Sequence, residues 1–212
     1  GITILKHNYD ETDFKAALQI AFEHDNTVLI EKFIPGREFR IFIINDEVVG
    51  ILHRVPANVT GDGVLNIGQL IDMKNEDPLR GKGYRTPLEK IRKGREEEMF
   101  LKQQGMDFNT VPKEREVVYL RENSNISTGG DSIDFTDDID DSYKAIAVEA
   151  AKALNVKITG LDMMIQDIHA PATPDNYAII EMNFNPAIHI HCYPFKGKNR
   201  HLNHKMIKAL GF

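Results

Sequence analysis

Two apolar stretches near the carboxyl end of the chain, GLDMMI at residues 160–165 and AIIEMNF at residues 178–184, decide the fold. Each is long enough for one strand, and each carries a carboxylate in its interior, Asp162 in the first and Glu181 in the second. A carboxylate in an apolar strand is costly to desolvate unless it has a partner. Because side chains alternate between the two faces of a strand, Glu181 and Asn183 point the same way, and Asp162 joins them if the strands pair.

These three side chains predict a metal site or a solvated sheet face. Two carboxylates and an amide are hard oxygen ligands, which suit a Mg²⁺ ion that bridges substrate phosphates. In the alternative, Asp162 and Glu181 only point to solvent from a half-exposed sheet. The pattern alone leaves both interpretations open.

Outward from these stretches, hydrophobic periodicity predicts an α+β fold with mixed and antiparallel sheets and helices. Asn45-Asp46 separates two apolar runs and predicts a hairpin turn, and Asp10 or Thr12 caps the first helix. Residues 56–115 are rich in Gly, Pro and charge and predict an irregular excursion. We expect strands at about 2–5, 28–30, 39–44, 48–55, 117–120, 157–165 and 177–184, and helices at about 11–24, 66–74, 93–104, 143–154 and 203–210.

Composition narrows the class of protein. The chain has 212 residues, with 42% hydrophobic and 27% charged, which argues against a disordered, collagen-like or membrane protein. Its net charge of −6 gives no overall basic footprint, so we expect no nucleic-acid partner and no membrane partner. Cys192 is the only cysteine, which favours a cytoplasmic location. Because the chain starts at Gly1 in what we predict to be a strand, we expect it to be a piece of a longer protein.

Other segments offer groups for binding an anionic substrate. The stretch EKFIPGRE at residues 31–38 is an extended crossover whose backbone can hydrogen-bond an adenine edge, with Glu38 available to ribose hydroxyls; the alternative is an interdomain connection. Arg54 and Arg121 suit bidentate contact with phosphate or carboxylate, although a surface arginine is the plainer interpretation of each. The STGG end of the loop at 123–130 offers backbone N–H groups with little steric cover.

Taken together, these residues resemble the ATP-grasp superfamily. The match is most specific to the glutathione-synthetase module of the bacterial bifunctional glutamate–cysteine ligase/glutathione synthetase, and it covers nearly the whole chain. The motifs that carry it are RVPANVTGDG at 54–63, DPLRG at 77–81, RTPLEKI at 85–91, LRENSNISTGGDS at 120–132, TDDIDDSY at 136–143 and FNPAIHIH at 184–191.

The resemblance implies an ATP-grasp fold, with residues 1–34 as the end of the first lobe and residues 35–212 as the C-terminal lobe with an insertion around 56–115. It implies an ATP-dependent ligase that joins glycine to the cysteinyl carboxylate of γ-glutamylcysteine through an acyl phosphate, giving glutathione. The implied site residues are catalytic Arg54 and Arg121, nucleotide-binding Glu31, Lys32, Ile34 and Glu38, substrate-binding Asn125, Gly129 and Gly130, and metal-binding Asp162, Glu181 and Asn183.

The implied cofactors are ATP and Mg²⁺, with Mn²⁺ as an alternative, and the implied partner is an upstream glutamate–cysteine ligase module; a homodimer is also open. Single-function glutathione synthetases carry an arginine after the Gly-Gly pair, whereas this chain has Asp131. Carboxylate recognition is therefore expected to shift to Arg121 or another group. The phosphate-covering loop of the family is expected upstream of Gly1. A cyanophycin-synthetase-like ligase and a non-catalytic nucleotide-binding fragment are the competing interpretations.

Overall fold

The structure is a computed structural model that describes residues 5, 10–83 and 85–212. The chain divides into two compact units, Gly1–Gly36 and Arg37–Phe212. The assignment of these units to the two lobes of an ATP-grasp protein stays a prediction.

The helices are α1 (Glu11–Phe22), α2 (Ile67–Lys74), α3 (Arg95–Gln103), α4 (Asp141–Ala153), α5 (His189–Cys192) and α6 (Leu202–Ala209). The strands are β1 (Arg37–Ile44), β2 (Glu47–Val55), β3 (Asn58–Thr60), β4 (Arg80–Gly81), β5 (Leu88–Glu89), β6 (Val117–Tyr119), β7 (Asp131–Asp134), β8 (Ile158–Ile165) and β9 (Tyr177–Asn183).

The first unit contains the predicted helix but not the predicted strand that follows it. Asp10 caps α1 by accepting hydrogen bonds from the backbone N–H groups of Thr12 and Asp13, which is one of the two predicted caps. Residues 28–30 form no strand, and Leu29 and Ile30 are exposed, because the described residues of this unit offer no strand to pair with. The strand predicted at residues 2–5 falls mostly outside the described residues.

The second unit is built on a five-stranded antiparallel sheet in the order β7-β2-β1-β8-β9. The β1–β2 hairpin turns at Asn45-Asp46, as predicted. Asn45 has a φ of 55°, a left-handed conformation that asparagine tolerates better than most residues. The α+β class is confirmed.

One face of the sheet is covered by α4. Tyr143, Ala147 and Ala151 of α4 are buried against strand residues such as Ile41 and Leu161. The helix was predicted from its apolar spacing, and it stops before Asn155, whose φ of 52° is non-helical. Tyr143 also donates a hydrogen bond from its hydroxyl to the Asp167 carbonyl, at 2.9 Å, so its polar end is satisfied.

On the opposite face, α5 and α6 cover only one end of the sheet. Leu202 of α6 and Cys192 of α5 pack with Phe42 and Val49 in a second apolar cluster. The final helix was predicted at 203–210, whereas α5 was not predicted because its four residues are too short to show a period. The uncovered part of this face carries polar side chains.

The excursion is more ordered than predicted. Helices α2 and α3 appear where expected, but β3 pairs with β6 and β4 pairs with β5. Together with β6 and Leu120, the excursion packs around an apolar core that is separate from the two cores of the sheet. The buried members of that core are Ala57, Val59, Ile67, Leu70, Ile71, Ile91, Leu101, Val118 and Leu120.

Strand β7 was also missed, because its two aspartates indicated a polar helix start. Asp131 and Asp134 are buried instead and are paired with arginines, Arg80 and Arg200 respectively. Asp140, at the end of the same acidic stretch, does cap α4. Within the described ranges, no helix combines the length and apolar character needed to cross a membrane.

Candidate active site

The polar face of the sheet brings together residues from four strands. Arg40 of β1 is the register partner of Asp162 of β8, and Asp162 is in turn the partner of Glu181 of β9. Glu38 lies two residues before Arg40, so it points to the same face. Arg54 of β2 shares that face because it lies two residues after Leu52, the partner of Arg40.

Asp162 is buried and is held by two arginines. Its side chain is 4% exposed. Arg40 donates to it from Nε and from Nη2, the latter at 2.8 Å, and Arg54 donates from Nη2 at 3.0 Å. This pairing accounts for a carboxylate in an apolar strand, because buried charge is tolerated when it is paired and hydrogen-bonded.

Arg54 also contacts a second carboxylate. Its Nη2 pairs with Oε1 of Glu38, and Ser124 donates a hydrogen bond from Oγ to Oε2 of Glu38 at 3.3 Å. Glu38, Arg54, Asp162 and Arg40 thus form a row of alternating charges, which we call the charged row. The row is neutral overall, and Ser124 ties it to the loop at 123–130.

Glu181 and Asn183 stand beside the charged row on the edge strand β9. Asn183 donates from Nδ2 to Oε1 of Glu181 at 2.9 Å, and its backbone carbonyl accepts a hydrogen bond from Thr159. The side chain of Glu181 is exposed. Oδ1 of Asn183 and Oε2 of Glu181 make no hydrogen bond within the described residues, so two oxygen atoms with free lone pairs lie side by side on β9.

A bulge in β9 makes this placement possible. Met163 opposes Ile179, but Asp162 opposes Glu181, so Ile180 is an extra residue without a register partner. Tyr177, before the bulge, packs on the α4 side of the sheet. The extra residue reverses the alternation, so Glu181 and Asn183 point to the polar face.

The candidate ligands for a divalent cation are Asp162, Glu181 and Asn183. Among the described residues, no group of three or more His, Cys, Asp or Glu side chains is arranged to hold a metal ion. The reason here is that one predicted ligand is an amide and that Asp162 is engaged by Arg40 and Arg54. The chemistry nevertheless fits Mg²⁺, because Glu181 and Asn183 present adjacent oxygens and Oδ1 of Asp162, which accepts one hydrogen bond, keeps a second lone pair. The metal assignment stays a prediction.

The loop at 123–130 ends in a tight turn against the sheet and the excursion. The N–H groups of Thr128 and Gly130 donate to the backbone carbonyl of Asn125, at 3.1 and 3.2 Å. Gly129 has a φ of 95°, and a Cβ there would lie 2.8 Å from the Cα of Ile91, so only glycine fits. The structure therefore brings the three predicted substrate-binding residues into one turn, next to the end of β2.

Arg121 is engaged elsewhere. Its guanidinium pairs with Glu97 at 2.6 Å and with Glu96, both in the first turn of α3. Glu97 is buried, so the pair anchors the start of the loop to the excursion. This contact favours a positioning role for Arg121, and its predicted catalytic role stays untested.

The predicted adenine-binding residues belong to the first unit. Glu31 and Lys32 are exposed, Ile34 is half-buried, and all three lie in irregular backbone. Their roles stay predictions.

Sequence reasoning missed Arg40, which makes two of the three hydrogen bonds to Asp162. A signal was present, since Arg40 is a charged residue inside the apolar run at 39–44 and lies two residues after Glu38. It is the same signal that identified Asp162.

His191 of α5 lies at the covered end of the same sheet face. Burial, reinforced by the positive charge of Arg40, lowers the pKa of His191 to about 3, so the ring is neutral. The ring packs edge-on against Phe42, with centroids 5.4 Å apart, and neither nitrogen has a hydrogen-bond partner within the described residues. Gly50 makes room for it, because a Cβ at Gly50 would lie 2.8 Å from Nδ1.

The antiparallel sheet carries helix α4 on one face and the charged row, with Glu181 and Asn183 beside it, on the other. This is an α+β fold of the ATP-grasp class, as predicted. No protein-family model matches the chain.

The relatives found by comparison narrow this class further. The chain is 63% identical over 212 residues to the glutathione biosynthesis bifunctional protein GshAB of Desulfotalea psychrophila, covering 100% of this chain and 27% of that protein. It is 56% identical over 210 residues to the protein of the same name from Clostridium perfringens, covering 99% of this chain and 27% of that one. The chain therefore spans about a quarter of the length of the relatives it matches.

A solved structure agrees with these sequence matches. The crystal structure of a bifunctional glutathione synthetase from Pasteurella multocida matches with a TM-score of 0.81 and 46% identity, over 96% of this chain and 28% of that one. The resemblance to the glutathione-synthetase module of the bifunctional proteins is confirmed.

Proposed function

We propose that the chain is part of an ATP- and Mg²⁺-dependent ligase that joins glycine to the cysteinyl carboxylate of γ-glutamylcysteine and so makes glutathione. The relatives named above support the substrate class, because they are bifunctional glutathione biosynthesis proteins. The upstream glutamate–cysteine ligase module of the same polypeptide, a cytoplasmic location and a homodimer belong to the same proposal.

The observation that carries the proposal is the charged row beside Glu181 and Asn183. Phosphoryl transfer needs little covalent chemistry from the protein and depends on positioning and on stabilising negative charge as it develops. Arg54 is suited to this, because its guanidinium already bridges two carboxylates, Glu38 and Asp162, on the open part of the sheet face.

In the proposed reaction, an oxygen of the cysteinyl carboxylate attacks the γ-phosphorus of ATP. The bond from that phosphorus to the β–γ bridging oxygen breaks, and ADP leaves with the electron pair. The amine of glycine then attacks the acyl carbon, phosphate departs, and the amine gives up a proton as the amide forms. Arg54 stabilises the charge on the transferring phosphoryl group and on the acyl phosphate.

The remaining residues bind and orient the substrates. Glu31, Lys32 and Ile34 hold adenine and Glu38 the ribose, while Arg121, Asn125, Gly129 and Gly130 serve the acceptor side. Asp162, Glu181 and Asn183 would hold the metal ion, which neutralises phosphate charge when bound. Ser124 links the two sides, since it joins the loop at 123–130, which we call the acceptor loop, to Glu38.

The proposal is tested in the full-length polypeptide that carries this chain, by following ADP release and amide formation with glycine, arginine and aspartate as acceptors. Glycine should be used with γ-glutamylcysteine. Use of arginine or aspartate instead would indicate a cyanophycin-type ligase, and no acceptor-dependent ADP release would indicate a non-catalytic nucleotide-binding protein.

In the same assay, Glu181→Gln should abolish ADP release while circular dichroism stays unchanged, because the substitution removes a ligand charge at an exposed position. Glu149→Gln is the matched control. Glu149 is an exposed glutamate on α4 that pairs with Lys152, and its loss should leave the rate unaltered. Near-normal turnover by Glu181→Gln would overturn the metal assignment.

A further inference from the structure

A buried ionic cluster lies behind the acceptor loop, and the proposed reaction gives it no role. Its carboxylate is Asp131, the residue that stands where single-function glutathione synthetases carry an arginine. Asp131 pairs with Arg80 through Oδ1 and with Lys74 through Oδ2 at 2.7 Å, and Asn58 donates to Oδ2 at 3.0 Å. We call these four residues the Asp131 cluster.

The Asp131 cluster holds more positive than negative charge. Arg80 has a fully buried side chain, and burial lowers the pKa values of Arg80 and Lys74, opposed in each case by Asp131. The ring of Phe195 stabilises part of this excess positive charge through cation–π contacts. The Lys74 ammonium lies 5.1 Å and the Arg80 guanidinium carbon 5.4 Å from the ring centroid. Apolar side chains would fill this space at lower desolvation cost, so the cluster is better explained by the geometry it imposes.

Arg80 connects the Asp131 cluster to the acceptor loop by hydrogen bonds. Its Nη1 donates to the backbone carbonyl of Gly129 at 3.0 Å and to that of Glu89 at 2.8 Å. In a planar trans peptide the next N–H points the opposite way, and the N–H of Gly130 donates to the backbone carbonyl of Asn125. Fixing the Gly129 carbonyl therefore fixes the backbone that carries Asn125, whose side chain is exposed.

Asp131 also fixes the turn relative to the charged row. It is the first residue of β7 and the register partner of Val55, and Ser132 is the partner of Arg54. One carboxylate thus sets both the orientation of the acceptor loop and the distance of that loop from Arg54.

We infer that Arg80 and Asp131 are positioning residues that hold the Asn125–Gly130 turn where the acceptor amino acid meets the acyl phosphate, an inference that rests on the proposed function. A turn that is out of place weakens acceptor binding and leaves the acyl phosphate open to attack by water, which returns the carboxylate and releases phosphate. ATP is then consumed without amide formation.

The test compares Arg80→Lys with the wild type in the full-length polypeptide, at saturating ATP and γ-glutamylcysteine and varied glycine. Lysine keeps the charge but loses the planar fork that joins Asp131 to the Gly129 carbonyl. The KM for glycine should rise about tenfold or more, the KM for ATP should stay within about twofold, and ADP formed per glutathione should exceed one.

Arg200→Lys is the matched control. Arg200 is a half-buried arginine that holds Asp134 of the same strand with hydrogen bonds of 2.9 and 3.0 Å, but it makes no contact with the Gly129 turn among the described interactions. This variant should change thermal stability to a similar degree and leave the KM for glycine and the ADP ratio as in the wild type. If Arg80→Lys does not fold, Asp131→Asn, which keeps the shape of the side chain, replaces it with the same expected result.

The outcomes separate this inference from the proposed function. A wild type that makes no amide from glycine overturns both. A wild type that works, together with an Arg80 variant whose glycine KM and ADP ratio are unchanged, overturns the positioning role alone. Equal effects of the Arg80 and Arg200 substitutions would also overturn it, because the cluster would then act only through stability.

Discussion

Replacement of Arg40 by methionine should strongly destabilise the chain, because it removes one of the two arginines that hold the buried Asp162. The substitution removes two charge-assisted hydrogen bonds to Asp162, each worth about 1.5–3 kcal/mol, and leaves that buried carboxylate with Arg54 alone. Removing one partner of a buried ion pair costs about 3–5 kcal/mol. Because Arg54 still donates at 3.0 Å, we expect the lower end, a loss of about 3 kcal/mol in the free energy of unfolding.

A double variant that restores the charge balance of the charged row gives a more specific test of this reasoning. The charged row holds two arginines and two carboxylates, so Arg40→Met leaves one negative charge uncompensated. Adding Asp162→Leu restores neutrality and should recover most of the loss, because a buried pair replaced by apolar residues of similar size is often neutral in stability.

The free energies are measured by urea unfolding followed by circular dichroism, with Lys144→Met as the control. Lys144 pairs with the largely exposed Asp141, and loss of this surface pair should cost less than about 1 kcal/mol. If the double variant is less stable than Arg40→Met alone, the two side chains do not compensate each other and the reasoning about the charged row is wrong.

Two further predictions concern catalysis and pH. Arg54→Ala should lower kcat by a factor of about 10²–10³ and weaken ATP binding far less, measured by initial rates and equilibrium binding; a change confined to the KM for glycine would contradict the role of Arg54 in stabilising developing charge. The pKa of His191 is lowered to about 3 in the folded chain. Below about pH 6.5 the unfolded chain therefore binds a proton at this residue that the folded chain does not bind. As a result, the free energy of unfolding falls with decreasing pH by up to about 1.4 kcal/mol per pH unit. His191→Leu should flatten that dependence in urea titrations between pH 6.5 and 4, whereas His53, whose pKa is lowered to about 4 mainly by burial, contributes in the same direction to both proteins. An unchanged slope would show that His191 is not the group responsible.

Much of the fold follows from local patterns that dominate where one face of an element is buried. The apolar periods of α4, β1, β2 and β8 gave their positions to within a few residues. The two wrong strand predictions have the same cause, because a strand depends on the partners that its residues meet as well as on its own sequence. Residues 28–30 are apolar but lack a partner among the described residues of their unit, and β7 is acidic but is paired with buried arginines.

The candidate site was predictable where charge interrupts an apolar strand, as at Asp162 and Glu181. The same rule identifies Arg40 in hindsight, but a single charged residue does not reveal which carboxylate it meets 122 positions along the chain. The partners of Arg121 and Asp131 were hidden for the same reason. Their contacts depend on how the excursion folds back, and its short strands lack the length to show a period.

Because of the bulge at Ile180, the face on which Glu181 and Asn183 lie depends on how β9 pairs as well as on its sequence. If β9 kept Ile180 but paired without the bulge, Ile180 would lie opposite Asp162, and Glu181 and Asn183 would continue the alternation of Tyr177 and Ile179, facing α4 instead of the charged row. Deletion of Ile180 would instead leave a regular strand in which Glu181 still lies opposite Asp162. A related chain with one residue fewer at this point would therefore show a gap in an alignment and still present both side chains to the charged row.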